Sequence, residues 1–395
     1  MKSILLFLVI FSESSLSSLA SSIDSLSHDS NIQNTVLEKP GLSALLKVGG
    51  YLNANSARTS YSSFKFNGHV ELGFGENLSL NLGIESHESW TAYANDLNAV
   101  AEIRYFFDPI YKLKTGASFS GTYLAPSFSY ILNNGSLNEL PFLFAGSPES
   151  NRPYETNYAL GLKFGRQFQG FVDFGVFGGI EKLQKKSRGK VSSGILKTYS
   201  SLALPIGNGD FNQLWRANLN QKVDNSYLLK FGINDVLSVS KKGFFFHPKI
   251  GYEYGFGKSG LSVNLTAEAF NYRAKFLDVS DSEISTESYL RQYISFFFSP
   301  ELRYYLGHKG IEQGGSTLEG LYLKASAQVM TGTEEVKRQF WEYDKFSSFN
   351  LGLGLGAQKM LMGGILLDAH AGVFNDNELA NNIFFGGGID LYWVK

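Results

Sequence analysis

From Ser348 to Gln358 the chain reads Ser-Phe-Asn-Leu-Gly-Leu-Gly-Leu-Gly-Ala-Gln. Leu351, Leu353, Leu355 and Ala357 alternate with Gly352, Gly354 and Gly356. A period of two places one kind of side chain on each face of a strand, and a helix cannot use it. Here one face is long and apolar while the other is almost bare. Such a strand suits a wall with an apolar medium outside and a crowded interior. The whole segment Phe346–Lys395 reads this way, with Ile389, Leu391 and Trp393 alternating near its end.

Composition narrows the class. Outside the N-terminus no apolar run approaches the ~18 residues of a spanning helix, and mean hydropathy is only -0.10, which excludes a helical inner-membrane protein. Yet 42 of 395 residues are Gly and 15% are aromatic, against a usual Gly level of roughly 7%. That combination fits strands that are apolar on one face only. Lys and Arg number 35 against 36 Asp and Glu, so the basic excess of a nucleic-acid binder is missing. The absence of Cys excludes a disulfide framework, thiolate metal sites and a lipid-modified N-terminal Cys.

Residues 1–20 have the three parts of a secretory signal peptide: Lys2, the apolar run Ile4–Phe11, and the small-x-small site Ser18-Leu19-Ala20. Residues 21–40 are rich in Ser, Asn and Asp and are expected to form a disordered leader. From residue 41 onward strand follows strand. A first β-barrel repeat is expected over 41–207, a linker over 208–226 and a second repeat over 227–395, about eight strands in each. Tight joints (Glu76-Asn77, Gln169-Gly170, Lys258–Gly260, Leu361–Gly364) alternate with longer polar ones (Ser86–Asp96, Asn133–Thr156, Arg273–Ser288, Thr331–Ser348). Short turns at one end and long loops at the other mark a barrel inserted from the periplasm.

The two groups echo each other. Val70-Glu-Leu-Gly-Phe-Gly matches Tyr252-Glu-Tyr-Gly-Phe-Gly, Glu102-Ile-Arg-Tyr matches Glu301-Leu-Arg-Tyr, and Leu160-Gly-Leu-Lys-Phe-Gly-Arg-Gln matches Leu351-Gly-Leu-Gly-Leu-Gly-Ala-Gln. Three matches in the same order point to an ancestral duplication. The second group, Tyr227–Lys395, resembles a family of small eight-stranded outer-membrane barrels common in Bacteroidetes-type bacteria. The resemblance lies in Leu228-Leu-Lys-Phe-Gly-Ile-Asn-Asp-Val-Leu, Ser299-Pro-Glu-Leu-Arg-Tyr-Tyr, Leu321-Tyr-Leu-Lys-Ala and the Gly-alternating strand from Leu351; it extends faintly to Leu45–Pro205. It implies a barrel in the outer membrane of a Gram-negative-type bacterium and carries no catalytic residues. The C-terminal strand is similar to those read by the barrel assembly machinery, but continues past Trp393 to Val394-Lys395.

The expected fold is therefore all-β: a transmembrane antiparallel up-and-down β-barrel of about sixteen strands. Sixteen strands close as one barrel with an aqueous channel, or as two barrels of eight filled by side chains. The repeat and the linker favour two. Pro205, which cannot donate to a ladder, interrupts the closing strand of the first group and tips the reading to one.

Parity sends Glu71, Glu102, Arg104, Asp173, Glu253, Glu301, Arg303, Asp368 and Asp390 to the lumen, because Arg or Lys facing lipid at the midplane costs roughly 2–4 kcal/mol. There they form either an interior network, with Glu102–Arg104 and Glu301–Arg303 at i, i+2 on one face, or a constriction that selects ions. Aromatics near strand ends (Tyr105, Phe106, Phe107, Tyr304, Tyr305, Tyr392, Trp393) suit an interfacial girdle, and one ring of Phe296-Phe297-Phe298 must turn inward or sit at a bulge. None of the six His has a metal-ligand spacing, and Ser86-His87-Glu88 alternate between faces, which makes a poor triad. No enzyme, cofactor or metal is expected. The function expected first is a passive, porin-like pore; second, a closed structural barrel whose extracellular loops contact a partner.

Overall fold

The computed structural model describes residues 43–395 except 56–60, 89–94, 108–110, 114–115, 134–153, 169–171, 186–189, 207–226, 234–235, 242, 257–258, 281–282, 307–317, 338–340, 362–364, 376–382 and 395. The expected signal peptide, leader and linker, most of Asn133–Thr156, and the joints at 169–170 and 362–364 lie outside these residues.

The first half contains β1 (Ser43–Asn55), β2 (Tyr61–Phe74), β3 (Leu78–Glu88), β4 (Asn95–Phe106), β5 (Tyr111–Leu113), β6 (Gly116–Ser118), β7 (Gly121–Asn133), β8 (Tyr154–Phe168), β9 (Val172–Lys185) and β10 (Lys190–Ile206). The second contains β11 (Tyr227–Gly232), β12 (Leu237–Ser240), β13 (Gly243–Phe246), β14 (Lys249–Gly255), β15 (Leu261–Ser280), β16 (Glu283–Tyr305), β17 (Gly320–Lys337), β18 (Trp341–Leu361), β19 (Ile365–Phe374) and β20 (Ile383–Val394). All pairings are antiparallel; β5 and β6 form a separate hairpin and the other eighteen strands form one sheet. The chain is a transmembrane antiparallel up-and-down β-barrel.

Its closure combines both arrangements that sixteen strands allow. In the first half, β1-β2-β3-β4-β7-β8-β9-β10 pair in succession, and β10 returns to β1 with Leu46–Gly49 opposite Ile206–Ala203. In the second, β11-β14-β15-β16-β17-β18-β19-β20 do the same, with Leu228–Gly232 opposite Val394–Asp390. Each ring of eight closes at the end where the chain turns tightly, as at Glu76-Asn77, where Gly75 has a φ of 68°. At the opposite end the halves are laddered together. Ala54 of β1 faces Phe385 of β20, and Leu196 and Lys197 of β10 face Val239 and Ser238 of β12. Short ladders thus tie the halves together at both ends, which limits the sheet edge left to the apolar layer.

Side chains follow the expected alternation. Leu351, Leu353 and Leu355 point outward and are more than half exposed, as do Leu160, Leu162, Phe164, Leu321 and Leu323 to similar degrees. The bare face of β18 turns inward because nothing larger fits: a Cβ on Gly356 would collide with the Tyr322 ring, and one on Gly352 with Phe374. Of the three consecutive Phe residues, Phe296 and Phe298 face out while Phe297 packs inside.

Several expectations need correction. Pro205 does not prevent closure; it sits opposite Lys47 in the closing ladder. A proline lacks a single N–H, so at most one bond of the ladder is lost. The count of about eight strands in each half rises to ten, because a small hairpin (β5–β6) precedes β7 and because β11 and β12, and β13 and β14, each divide what would otherwise be one strand. Arg273–Ser288 and Thr331–Ser348 are largely laddered strand rather than loop. Glu334, Glu335, Glu342, Asp344 and Lys345 give the β17–β18 extension polar residues on both faces, which erases the apolar period without removing the backbone pairing. Phe106, Tyr305 and Tyr392 leave the expected girdle, since alternation turns them into the two interiors.

Candidate functional site

The interior of each ring, near its tight-turn end, holds a network to which most of its strands contribute. In the first ring, Lys47 Nζ donates to Glu71 at 2.8 Å and to Gln167 Oε1 at 3.3 Å. Ser79 Oγ donates to Glu71 Oε1 at 2.6 Å. Gln167 crosses the ring, its amide donating to Glu71 at 2.9 Å and to the Phe119 carbonyl at 3.1 Å. Arg104 donates to Glu102 at 2.8 Å, pairs with Asp173 at 2.8 Å and donates to Gln167 Oε1. Lys163 pairs with Glu102 from the far side, and Asn81 donates to the same carboxylate at 3.2 Å. Tyr123 donates to Asp173 at 2.7 Å while its ring lies 4.5 Å beneath the Arg104 guanidinium.

The second ring repeats this almost atom for atom. Lys230 pairs with Glu253 and donates to Gln358 Oε1 at 2.9 Å. Ser262 donates to Glu253 at 2.7 Å. Gln358 donates to Glu253 at 3.1 Å and to the Leu318 carbonyl at 2.7 Å. Arg303 donates to Glu301 at 2.8 Å, to Gln358 at 2.9 Å and to Asp368 at 3.0 Å. Lys324 and Asn264 reach Glu301 at 2.9 and 3.0 Å. Tyr322 donates to Asp368 at 2.6 Å and lies 4.4 Å beneath the Arg303 guanidinium.

All nine charged residues singled out from sequence are buried. Glu71, Glu102, Arg104 and Asp173 meet in the first network, and Glu253, Glu301, Arg303 and Asp368 in the second. Asp390 stands apart, with Lys249 Nζ at 3.7 Å. Parity did not single out Lys47, Tyr123, Lys163, Gln167 or their counterparts Lys230, Tyr322, Lys324 and Gln358. The signal for the glutamines lay in the matched segments, where Gln167 and Gln358 occupy the same last place.

Each arrangement is what burying ions in a narrow barrel demands. A lone buried charge is very costly, and a buried pair is tolerable only when its remaining lone pairs and protons are satisfied. Here each glutamate accepts from a lysine or arginine and from neutral donors. Gln167 and Gln358 have almost no exposure, and they tie opposite walls together. The chemistry available is structural: groups that share their protons with fixed partners, side by side with stacked tyrosines.

No protein-family model matches the chain, and no curated protein matches it by sequence. Among solved structures it is similar to OmpT, an outer membrane protein of Vibrio cholerae, in the form that lacks loop L8. That match has 10% identity and a TM-score of 0.22 over 90% of this chain and 99% of that one. In-vitro folded OmpT matches with 9% identity and a TM-score of 0.23 over 91% of this chain and 100% of that one, and its trimer form with 8% and 0.23 over 90% and 99%.

Proposed function

We propose that this is a non-catalytic outer-membrane barrel of a Gram-negative-type bacterium, exported by a cleaved signal peptide, whose base is sealed and whose work is done at the opposite end. One observation carries the reading: two polar networks bridge their rings from wall to wall. An eight-stranded ring is just wide enough for side chains to fill, and these fill it with groups that hold one another. The outward apolar faces supply the lipid contact, and tight turns at the sealed end assign it to the periplasm. At the other end the β15–β16 and β17–β18 hairpins continue as ladders, the second with charged residues on both faces, a form suited to contact with an external partner.

We infer further that the halves arose by duplication of an eight-stranded unit. Support comes from the sequence matches and from equivalent residues in equivalent hydrogen bonds. Single-channel recording of the folded protein in a planar bilayer tests the seal. Silence is expected, and deleting 334–345 should abolish partner binding without disturbing the barrel. Steady conductance by the parent protein would instead favour the passive pore, with Glu102 and Arg303 tuning its selectivity.

A further inference from the structure

Five strands meet at the boundary between the rings, and β1, β10 and β20 each change neighbour along their length. Toward the tight-turn end β1 lies on β10 and β11 on β20. Toward the other end β1 lies on β20, and β10 on β12. Carried along the full length, the first pattern gives two rings of eight and the second gives one ring of sixteen, wide enough for an aqueous channel.

The facing of the side chains does not fix where the exchange occurs. A one-residue slip would turn every side chain to the wrong face, but the two patterns are in phase. When the Ala54–Phe385 register is continued along β1, the interior residue Lys47 comes opposite Tyr392, whose ring packs inside the second ring. Val48 then comes opposite Leu391. Between β11 and β12 the ladder shifts by two residues, an even number, so the side chains of both strands keep the same facing toward β10. Each residue pair given up on one ladder is replaced on another, so the backbone groups stay satisfied inside the membrane.

The two kinds of contact that hold the base divided differ in strength. On the outer faces Val172, Ile365 and Ile389 are buried among Phe168, Phe174, Leu202 and Leu391. Acyl chains are as apolar as these residues, so lipid replaces that seam at little cost. The contacts across each interior have no such substitute: Gln167 with Lys47 and Glu71, Arg104 with Asp173, and their twins in the second ring.

We propose that the exchange point is mobile, and that its travel toward the tight-turn end merges two sealed rings into a single sixteen-stranded channel, with the twin networks as the latches. The proposal rests on the sealed reading for its resting state. It makes the protein a gated passage.

The chain has no Cys, so engineered pairs report on pairing directly. Phe231 and Leu391 face each other in the closed base, whereas Val48 and Leu391 face each other only in the merged ring. Facing residues in an antiparallel ladder bring their Cβ atoms within about 4.5–5.5 Å, close to the ~3.5–4.5 Å of a disulfide. Folded Phe231→Cys/Leu391→Cys and Val48→Cys/Leu391→Cys proteins in bilayers are oxidised mildly, the bond is read by mass spectrometry, and conductance is recorded. Both bonds are expected, the second more slowly, and about tenfold faster or more when Arg104→Gln and Arg303→Gln release the latches. The oxidised Val48/Leu391 protein should conduct in large steady steps and the oxidised Phe231/Leu391 protein should be silent, both reverting with a thiol reductant. The proposal falls if the Val48–Leu391 bond never forms where the Phe231–Leu391 bond does, latch variants included, or if it forms without conductance. Failure of the seal itself reads differently: conductance that persists with the Phe231–Leu391 bond intact means the small rings are open.

Discussion

The two rings share a base and differ above it. At the base, the same set of groups meets in each, but one charge arrives by another route. Lys163 reaches Glu102 from β8, whereas Lys324 reaches Glu301 from β17, the counterpart of β7. The exchange is between cross-strand neighbours: Ala125 faces Lys163 in the first ring, and Lys324 faces Gly354 in the second. What is held fixed is the place of the ammonium, not the strand that carries it. Above the base the likeness ends. The first ring buries Asn67, Asn98 and Glu181 and pairs His69 with Glu85 at 3.2 Å. The second packs Phe245, Phe270, Tyr272 and Tyr293 with Phe297 and Phe346. The networks constrain their residues tightly; the interiors beyond them have diverged.

The most damaging test of that equivalence removes its central cation. Arg104→Ala and Arg303→Ala each strand two carboxylates and a glutamine, and each should cost about 3–5 kcal/mol, read from denaturant unfolding of the protein in lipid. Costs that differ widely between the two would show that the rings lean on their networks unequally. Next come the glycines of the inner wall. Gly356→Ala drives a methyl into Tyr322 and the Ala369 carbonyl and should cost about 2–3 kcal/mol by overpacking. Gly194, with open space about its Cβ position, serves as the control and should tolerate Ala within about 0.5 kcal/mol.

The lysine exchange tests the comparison more finely. Lys163→Ala leaves Glu102 with Arg104 and Asn81 and should cost about 2 kcal/mol. Adding Ala125→Lys transplants the second ring's solution into the first and should recover most of that loss. No recovery would mean that the position of the strand matters as much as that of the charge.

Much of this was legible in the sequence because two opposed media act on every strand. Lipid outside and a filled interior impose a period of two wherever the chain lies in the apolar layer, so strand order, outward Leu rows and inward Glu102, Arg104, Glu301 and Arg303 follow from alternation. The projecting hairpins were hidden because water on both faces removes that constraint. Phe106, Tyr305 and Tyr392 do not belong to the girdle: nearness to strand ends groups them there, whereas parity turns them inward. Closure was illegible for a deeper reason. Lys47 keeps its inward face whether its partner is Pro205 or Tyr392, so hydrophobic pattern cannot choose between one ring and two. Only contacts between distant strands, such as Gln167 with Lys47, decide it.

The smallest predicted effect concerns one hydroxyl. Tyr305 donates to Glu253 Oε1 at 2.7 Å, while its counterpart Phe106 is equally buried and has nothing to donate. Their rings sit alike, 5.4 Å from Tyr322 and 5.5 Å from Tyr123. Tyr305→Phe removes one of several donors to a carboxylate that keeps Lys230, Ser262 and Gln358, and should cost about 1.5 kcal/mol. Phe106→Tyr brings a hydroxyl toward Glu71 Oε1, which already accepts from Ser79, and should change stability by less than about 1 kcal/mol. If the two substitutions together leave the protein as stable as the parent, the interiors are interchangeable at this depth. If Phe106→Tyr alone costs more than the loss at Tyr305, the first ring is the tighter of the two, and the difference between the halves begins within the seal rather than above it.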